Sequence, residues 1–515
     1  VEALSAPSES SSAIQSAVDV VVVGFGAAGA AAALTAARAG ASVLLLEKQP
    51  ADRHTPSTRM SGGLVMGVND VPAATAYLDR CAGSMVPLVV TARWAATAQQ
   101  LPGWLAALGL KLTRVGGSEH ADFEGSAGID VYQPGDARHR LDPAAGAGRE
   151  LYAALRAATE GAGVEVRWSS PAVRLVRPDG GRVTGVVVDG ADGRHEVTAR
   201  RGVVLCTGGY EFDEAMKMDH LRVHPVHFYG NPGNTGDGVR MAQAVGADLW
   251  HMNQMIGRAI GTFPLDDGSL LSFIIGIDPP GYVITDGAGR RFADESAQAR
   301  LLHGFYYELL DFDVASGSYP RVPCYWFFDE RRRKAGPLTY SHIGAVAVGL
   351  YDWSSDNSAE IDRGWIARGD TIADAARAAG LRAPEAAAAS VAEYNAGCLE
   401  GADALGRPQE SLVPLDSPPF YCVPLWPGGS NTTGGPRRDE HARVLDVFGE
   451  VIPGLLAAGE LGQASGLVYP ADGSNLSEAL CFGQVAAETV LAGARPAQAT
   501  AWDEGACRAA TDDPA

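Results

Sequence analysis

Cysteine is sparse and scattered in this chain. There are seven, Cys81, Cys206, Cys324, Cys398, Cys422, Cys481 and Cys507, with no CxxC pair among them. The odd number and the spacing argue against a disulfide framework and against zinc, iron–sulfur and c-type haem sites, so no metal ligand set is expected. A reducing cytoplasm is the expected location. Positive charge is also in deficit, with 41 Lys and Arg against 61 Asp and Glu, a formal charge of −20. Nucleic acid and anionic membranes would be repelled and are not expected partners. No apolar run reaches the roughly 18 residues of a membrane span, although 46% of residues are hydrophobic. A soluble globular protein is expected. At 515 residues the chain exceeds what one core usually sustains, which predicts two domains or one domain with a large insertion.

What the sequence does have begins near its start. The apolar strand Val20–Val23 runs into Gly24-Phe-Gly26-Ala-Ala-Gly29, an alanine-rich helix and the strand Ser42–Leu46, which ends at Glu47. Three glycines at this spacing serve a tight strand-to-helix turn, close approach of backbone to a pyrophosphate, and close helix–strand packing. The helix N-terminus attracts phosphate. Glu47 stands at about the 20-residue offset of a carboxylate that binds the adenosine ribose. A dinucleotide-binding unit is expected.

Residues 1–17 read as a flexible leader and residues 496–515 as a tail. Helices are expected near Ala74–Leu108 and Gly146–Gly161. Period-two strands are expected at Val164–Trp168, Ala172–Val176, Val183–Val188 and His195–Ala199. A buried strand follows at Gly202–Thr207, and Gly233–Gly238 opens a helix. From about 262 to 417 the βαβ rhythm breaks and aromatic and charged residues increase, which suggests an inserted domain. The chain then returns through the strand-to-turn segment Gly454–Glu460 and ends in the helix Ser477–Gly493.

The order of motifs resembles the fumarate reductase and succinate dehydrogenase flavoprotein superfamily. The matching segments are Gly24–Gly29 with Glu47, Arg59-Met-Ser61-Gly62-Gly63, Cys206-Thr207-Gly208-Gly209, Asn234-Thr-Gly-Asp237-Gly238, Gly289–Glu295 and Gly454–Glu460. The resemblance implies an α/β fold, a Rossmann-type FAD-binding domain (18–261 and 418–495) with an inserted α+β capping domain (262–417). It also implies FAD as cofactor. The residues implied to touch FAD are Gly24, Gly26, Ala28, Gly29, Glu47, Lys48, Thr58, Arg59, Ser61, Gly62 and Gly63. Further along they are Ala172, Val173, Thr207, Gly208, Asn234, Asp237, Gly459 and Glu460. Ser474, Asn475 and Leu476 precede a helix whose N-terminus would stabilise negative charge on reduced flavin. The position of the flavin-linked histidine of succinate dehydrogenases holds Pro56 here, with His54 close by, so FAD is expected to be noncovalent.

The substrate side departs from fumarate reductases. Their histidine and arginine clamp for a dicarboxylate is replaced by Ser430-Asn431-Thr-Thr-Gly-Gly435 and Tyr469-Pro470. The segment Tyr469-Pro-Ala-Asp-Gly473 instead resembles 3-ketosteroid dehydrogenases of the delta-1 or delta-4-(5-alpha) type. By that resemblance Tyr469 and the Gly473 N–H polarise a ketone and the flavin takes hydride from the carbon β to it. The tyrosine that those enzymes carry soon after the RRFxxE segment is absent. The base is therefore open among Tyr306, Tyr307, Tyr340 and His303, or a fumarate-reductase-like proton route runs through Arg331, Glu295 and Arg300. The expected activity is interconversion of a bulky, steroid-like saturated ketone and its enone. The alternatives are an enoate reductase with Arg258 holding one carboxylate, and a flavoprotein without catalysis. Only one dinucleotide site is visible, so electrons would pass to or from an external partner such as a quinone, oxygen or a flavin carrier.

Overall fold

The computed structural model describes residues 16–135, 147–191, 193–276, 279–297 and 303–493. A parallel sheet forms its first layer, with strand order Val451–Ala457, Gly193–Leu205, Ser16–Val23, Val43–Leu46 and Glu165–Arg167; the strand Arg443–Leu445 joins one edge antiparallel. The run Val20–Val23 lies at the centre and is buried on both faces. Val20 and Val22 feed one hydrophobic core while Val21 and Val23 feed the other, the period-two alternation of a strand covered on both sides.

Helix Ala27–Arg38 covers one face beside the C-terminal helix Ser474–Ala492. Their contact depends on small residues: a Cβ on Gly483 would lie 2.4 Å from the Ala28 carbonyl oxygen. The C-terminal helix begins three residues earlier than the expected Ser477, because Gly473 adopts φ +80° and turns the chain into it. Ser474, Asn475 and Leu476 thus form its first turn. The expected Ala74–Leu108 helix is two helices, Val71–Ala82 and Leu88–Ala106. Gly83, at φ 59°, caps the first. The strands expected at 195–199 and 202–207 are one strand, Gly193–Leu205, which passes through Gly202 in extended form; the hairpin Ala172–Val176 and Gly185–Gly190 pairs with its first half.

The second layer is an antiparallel sheet in the order Leu270–Phe273, Met255–Pro264, Phe420–Thr432, Cys324–Asp329 and Tyr282–Thr285. Residue 262 falls within its strand Met255–Pro264. The aromatic enrichment of this region is its core: Phe263 stacks on Trp365 at 4.9 Å, and Phe273, Trp326, Phe328 and Trp353 fill the same cluster. Helices Ile372–Ala378 and Pro384–Glu400 cover the other face. Among the described residues no helix is long and apolar enough to cross a membrane.

Candidate active site

The elongated cleft at the carboxyl ends of the parallel strands is built by glycines that differ in role. Gly24 takes φ +100°, and a Cβ there would meet the Cys206 carbonyl oxygen at 2.3 Å. On Gly29 it would meet the Gly24 carbonyl oxygen at 1.9 Å, so this glycine fixes helix against turn. Gly26 is different: a Cβ would reach only Thr58 Oγ1, at 3.7 Å, and would otherwise enter the cleft. Thr58 Oγ1 accepts the Ala27 N–H at 2.8 Å at the helix start, and Ala28 lines the cleft.

Glu47 accepts the Phe25 N–H at 2.9 Å and the Gln49 N–H at 2.8 Å, and its Oε2 lies 3.3 Å from His54 Nε2. Burial opposes its charge, but His54 and the two N–H donors outweigh burial and hold its pKa below the ordinary glutamate value. His54 is fixed from both sides, since its Nδ1 lies 2.6 Å from the Tyr152 hydroxyl. Lys48 pairs with Asp237 at 2.5 Å, and both line the cleft.

Thr207 and Gly208 form the floor. Among the described residues the buried Thr207 hydroxyl has no partner, and a Cβ on Gly208 would crowd Asn234 Oδ1 at 2.5 Å. Asn234 donates to Glu460 Oε2 at 2.9 Å. Beside it lies an acid that sequence reasoning did not single out, Glu211, 1% exposed. Its Oε1 accepts the Thr432 N–H at 2.7 Å, whereas its Oε2 has no hydrogen-bond partner among the described residues. Burial raises the pKa of Glu211 to about 7 despite Thr432, and burial together with the Glu211 charge raises that of Glu460. The signal in the sequence was the acid two residues after the glycine pair.

Ser61, Ala172, Gly459, Asn475 and Leu476 also line the cleft, whereas Gly29, Arg59, Val173 and Ser474 do not. Arg59 donates to the His54 carbonyl at 2.8 Å, and Ser474 closes its own turn on Ala471. The open face at Gly26, the helix N-terminus, the ribose-side carboxylate and the unpartnered Thr207 hydroxyl fit a dinucleotide.

A second cavity of about 170 Å³ adjoins the first, sharing Ser61, Tyr229, Ser430, Asn475 and Leu476 with it. Gly62 and Gly63 line it, as do Tyr469 and Gly473. The Tyr469–Gly473 turn is clamped: the Pro470 carbonyl accepts the Tyr77 hydroxyl at 2.5 Å and the Glu119 N–H at 2.8 Å. A Cβ on Gly473 would collide with the Leu64 carbonyl oxygen at 2.3 Å. Among the described residues nothing accepts the Gly473 N–H. Burial, then the Asp472 charge, lifts the Tyr469 phenol above the usual range, against the Asn475 N–H, so it stays protonated.

The cavity is also lined by Arg258, His303, Tyr340 and His342. The His303 ring stands edge-on to Tyr469, centroids 4.5 Å apart. Burial, then the Arg258 charge, holds its pKa well below the ordinary histidine value, so it is neutral. Sequence reasoning did not single out Tyr229, His342 or Asp472, which come into the cavity from separate segments.

Of the expected arginine route, two members lie in the described residues, Arg331 and Glu295, and both are held in ion pairs. Arg331 is half exposed and pairs with Asp329 at 2.9 Å and Asp416 at 2.7 Å. Glu295 is buried in an ion-pair cluster with Arg291 at 2.6 Å and Arg407 at 3.4 Å, and Arg291 also pairs with Asp403 at 2.5 Å. Neither lines either of these two cavities. Arg300 lies outside the described residues. Tyr307 donates its hydroxyl to the Leu467 carbonyl, and neither it nor Tyr306 lines the cavity.

A cleft that fits a dinucleotide, adjoining a second cavity, is the arrangement of an enzyme that works with a dinucleotide cofactor. The chain belongs to the FAD binding domain family, which matches residues 19–476. It is an FAD-dependent oxidoreductase of the dehydrogenase/reductase type. It is similar to the 3-oxosteroid 1-dehydrogenase of Mycobacterium tuberculosis H37Rv, 29% identical, over 91% of this chain and 97% of that one. It is also similar to the 4-oxocyclohexanecarboxylate 2-dehydrogenase of Sinomonas cyclohexanicum, 29% identical over 96% of each. The crystal structure of 3-ketosteroid delta1-dehydrogenase from Sterolibacterium denitrificans shares the fold, with TM-score 0.79 at 23% identity over 93% of this chain and 100% of that one.

Proposed function

We propose that this enzyme dehydrogenates a carbon–carbon single bond beside a ketone, giving the enone. The observation that carries the reading is the pair of donors on one wall of the second cavity, the protonated Tyr469 phenol and the unpartnered Gly473 N–H. FAD, when bound in the cleft, would supply the two-electron acceptor that loss of hydride from the carbon β to the ketone requires. Tyr469 and Gly473 polarise the carbonyl, acidify its α carbon and hold the enolate charge where little water competes. The group that takes the α proton is open between Tyr340 and His303, both of which line the cavity. The names of the two relatives, one acting on an oxosteroid and one on an oxocyclohexane acid, support a ring ketone.

FAD is held without a covalent bond in this reading, because the nearby histidine, His54, is fixed between Glu47 and Tyr152. Electrons leave to an external acceptor, a quinone, oxygen or a flavin carrier. The test is anaerobic stopped-flow absorbance near the ordinary oxidised-flavin band, mixing oxidised enzyme with saturated ring ketones. Rapid bleaching is expected. Absence of bleaching by every ketone, together with reoxidation of the reduced enzyme by unsaturated acids, would replace this reading with an enoate reductase.

A further inference from the structure

We infer that FAD binds to this protein together with a proton, which Glu211 and Glu460 hold between them in the floor of the cofactor cleft. The two acids meet around one amide and one glycine. Asn234 Nδ2 donates to Glu460 Oε2 at 2.9 Å, and the same side chain lies within hydrogen-bonding reach of Glu211. Asn231 sets its orientation, donating from Nδ2 to Asn234 Oδ1 at 3.2 Å. Gly209 touches both acids: its N–H is turned to Glu460, and a Cβ on it would come within 2.5 Å of Glu211 Oε1.

Donors for two ionised carboxylates are too few. Glu211 accepts the Thr432 N–H at 2.7 Å and the Thr432 hydroxyl at 3.0 Å, both on Oε1, and its buried Oε2 has no hydrogen-bond partner among the described residues. Beyond Asn234 and Gly209, Glu460 has only the Ser57 hydroxyl, at 3.5 Å. No cation among the described residues pairs with either acid. The other ionisable groups of the cleft are Glu47, Lys48, His54, Cys206, Tyr229 and Asp237. Glu47 is paired with His54 and Lys48 with Asp237, while burial keeps the Cys206 thiol and the Tyr229 phenol neutral, as it does Tyr210 next to Glu211. Two like charges without a cation do not both ionise, so the pair keeps a proton. The titration agrees: burial and then the Glu211 charge raise Glu460 well above the ordinary glutamate value, and burial raises Glu211 to about 7. FAD adds to this, since Glu460 lines the cleft and the pyrophosphate is a dianion at neutral pH. Its charge favours the neutral acid, so the pair binds protons more tightly with FAD present than without. Below about pH 7 the proton is already in place; above it the proton must be taken up, and FAD affinity falls as pH rises, by at most about tenfold per pH unit for one proton.

The test is calorimetric titration of FAD into the cofactor-free full chain at about pH 8, in phosphate and in Tris, whose ionisation heats differ widely. The difference between the two observed heats should correspond to uptake of about one proton per FAD, and binding should weaken on the order of 30-fold between about pH 7 and about pH 9. Equal heats in the two buffers overturn the inference on the unmodified protein. Glu211→Gln and Glu460→Gln should each lower the uptake by about half or more; undiminished uptake in both places the proton on another group and overturns the inference as well. A readout that needs no variant is the infrared carbonyl stretch of a protonated carboxyl in the holoenzyme at the same pH, shifted in heavy water. It should be present, and its absence overturns the inference even if neither variant folds.

Discussion

Replacing Tyr469 by Phe removes one hydroxyl from the wall that faces the substrate and keeps the ring that packs against His303. Two donors share the carbonyl in the proposed mechanism, so the Gly473 N–H remains. Loss of one such donor costs on the order of 10²-fold in rate, about 2.7 kcal/mol of transition-state stabilisation. The burial of Tyr469, 7% exposed, leaves little water to substitute for the lost hydroxyl. Burial and the neighbouring Asp472 charge keep the phenol protonated. The deficit should therefore be constant across about pH 6 to 9, the range in which an ordinary general base would titrate. The assay is the single-turnover rate of anaerobic flavin reduction, with FAD content and thermal midpoint as folding controls. An unchanged rate would refute the donor role. A wild-type rate that climbs with pH and a deficit that vanishes at low pH would show Tyr469 acting as a tyrosinate base.

Gly29→Ala should yield unfolded or flavin-free protein, because its methyl meets the Gly24 carbonyl at 1.9 Å; Gly26→Ala should fold but lose affinity for FAD, as read from melting and the flavin-to-protein absorbance ratio. Glu295→Ala should destabilise by about 3–5 kcal/mol in urea, because it leaves buried Arg407 and Arg291 short of a partner. Arg331→Ala should leave the flavin reduction rate within about twofold, since surface ion pairs contribute little; a large loss would restore the arginine proton route. Glu211 has its pKa raised by burial from the ordinary 4.5 to about 7. Its contribution to stability is therefore intact below about pH 4.5 and lost as pH climbs through about 7, and Glu211→Gln should flatten the thermal midpoint over that window.

The cofactor cleft was legible because its determinants are local. The turn Gly24–Gly29, the strand Val20–Val23 and Glu47 lie within one βαβ unit, where each glycine has a steric reason that a spacing can express. Boundaries were less legible where a single residue decides them, as when Gly83 splits a helix or Gly473 starts one early. The ion pairs of Glu295 were hidden for another reason. A motif shows an acid near arginines, and burial alone decides whether those arginines leave it anything for substrate; here Arg291 and Arg407 occupy it.

The substrate wall was illegible because it depends on register. Strand Met255–Pro264 pairs with Phe420–Thr432 in one register up to Ile256 and in a shifted one from Gly257 onward. A one-residue slip in a strand sends every later side chain to the opposite face. After the shift Ile260 joins the apolar cluster beside the cavity and Arg258, two residues before it, lines the cavity, while Ala259 and Phe263 enter the aromatic core on the other side. Glycines hold the irregularity in place: a Cβ on Gly429 would lie 1.9 Å from the Ile256 carbonyl oxygen, and one on Gly257 would lie 2.5 Å from the Tyr306 ring. The placement of Arg258 at the cavity thus depends on the pairing of two strands some 160 residues apart in sequence, and no motif read along the chain contains it.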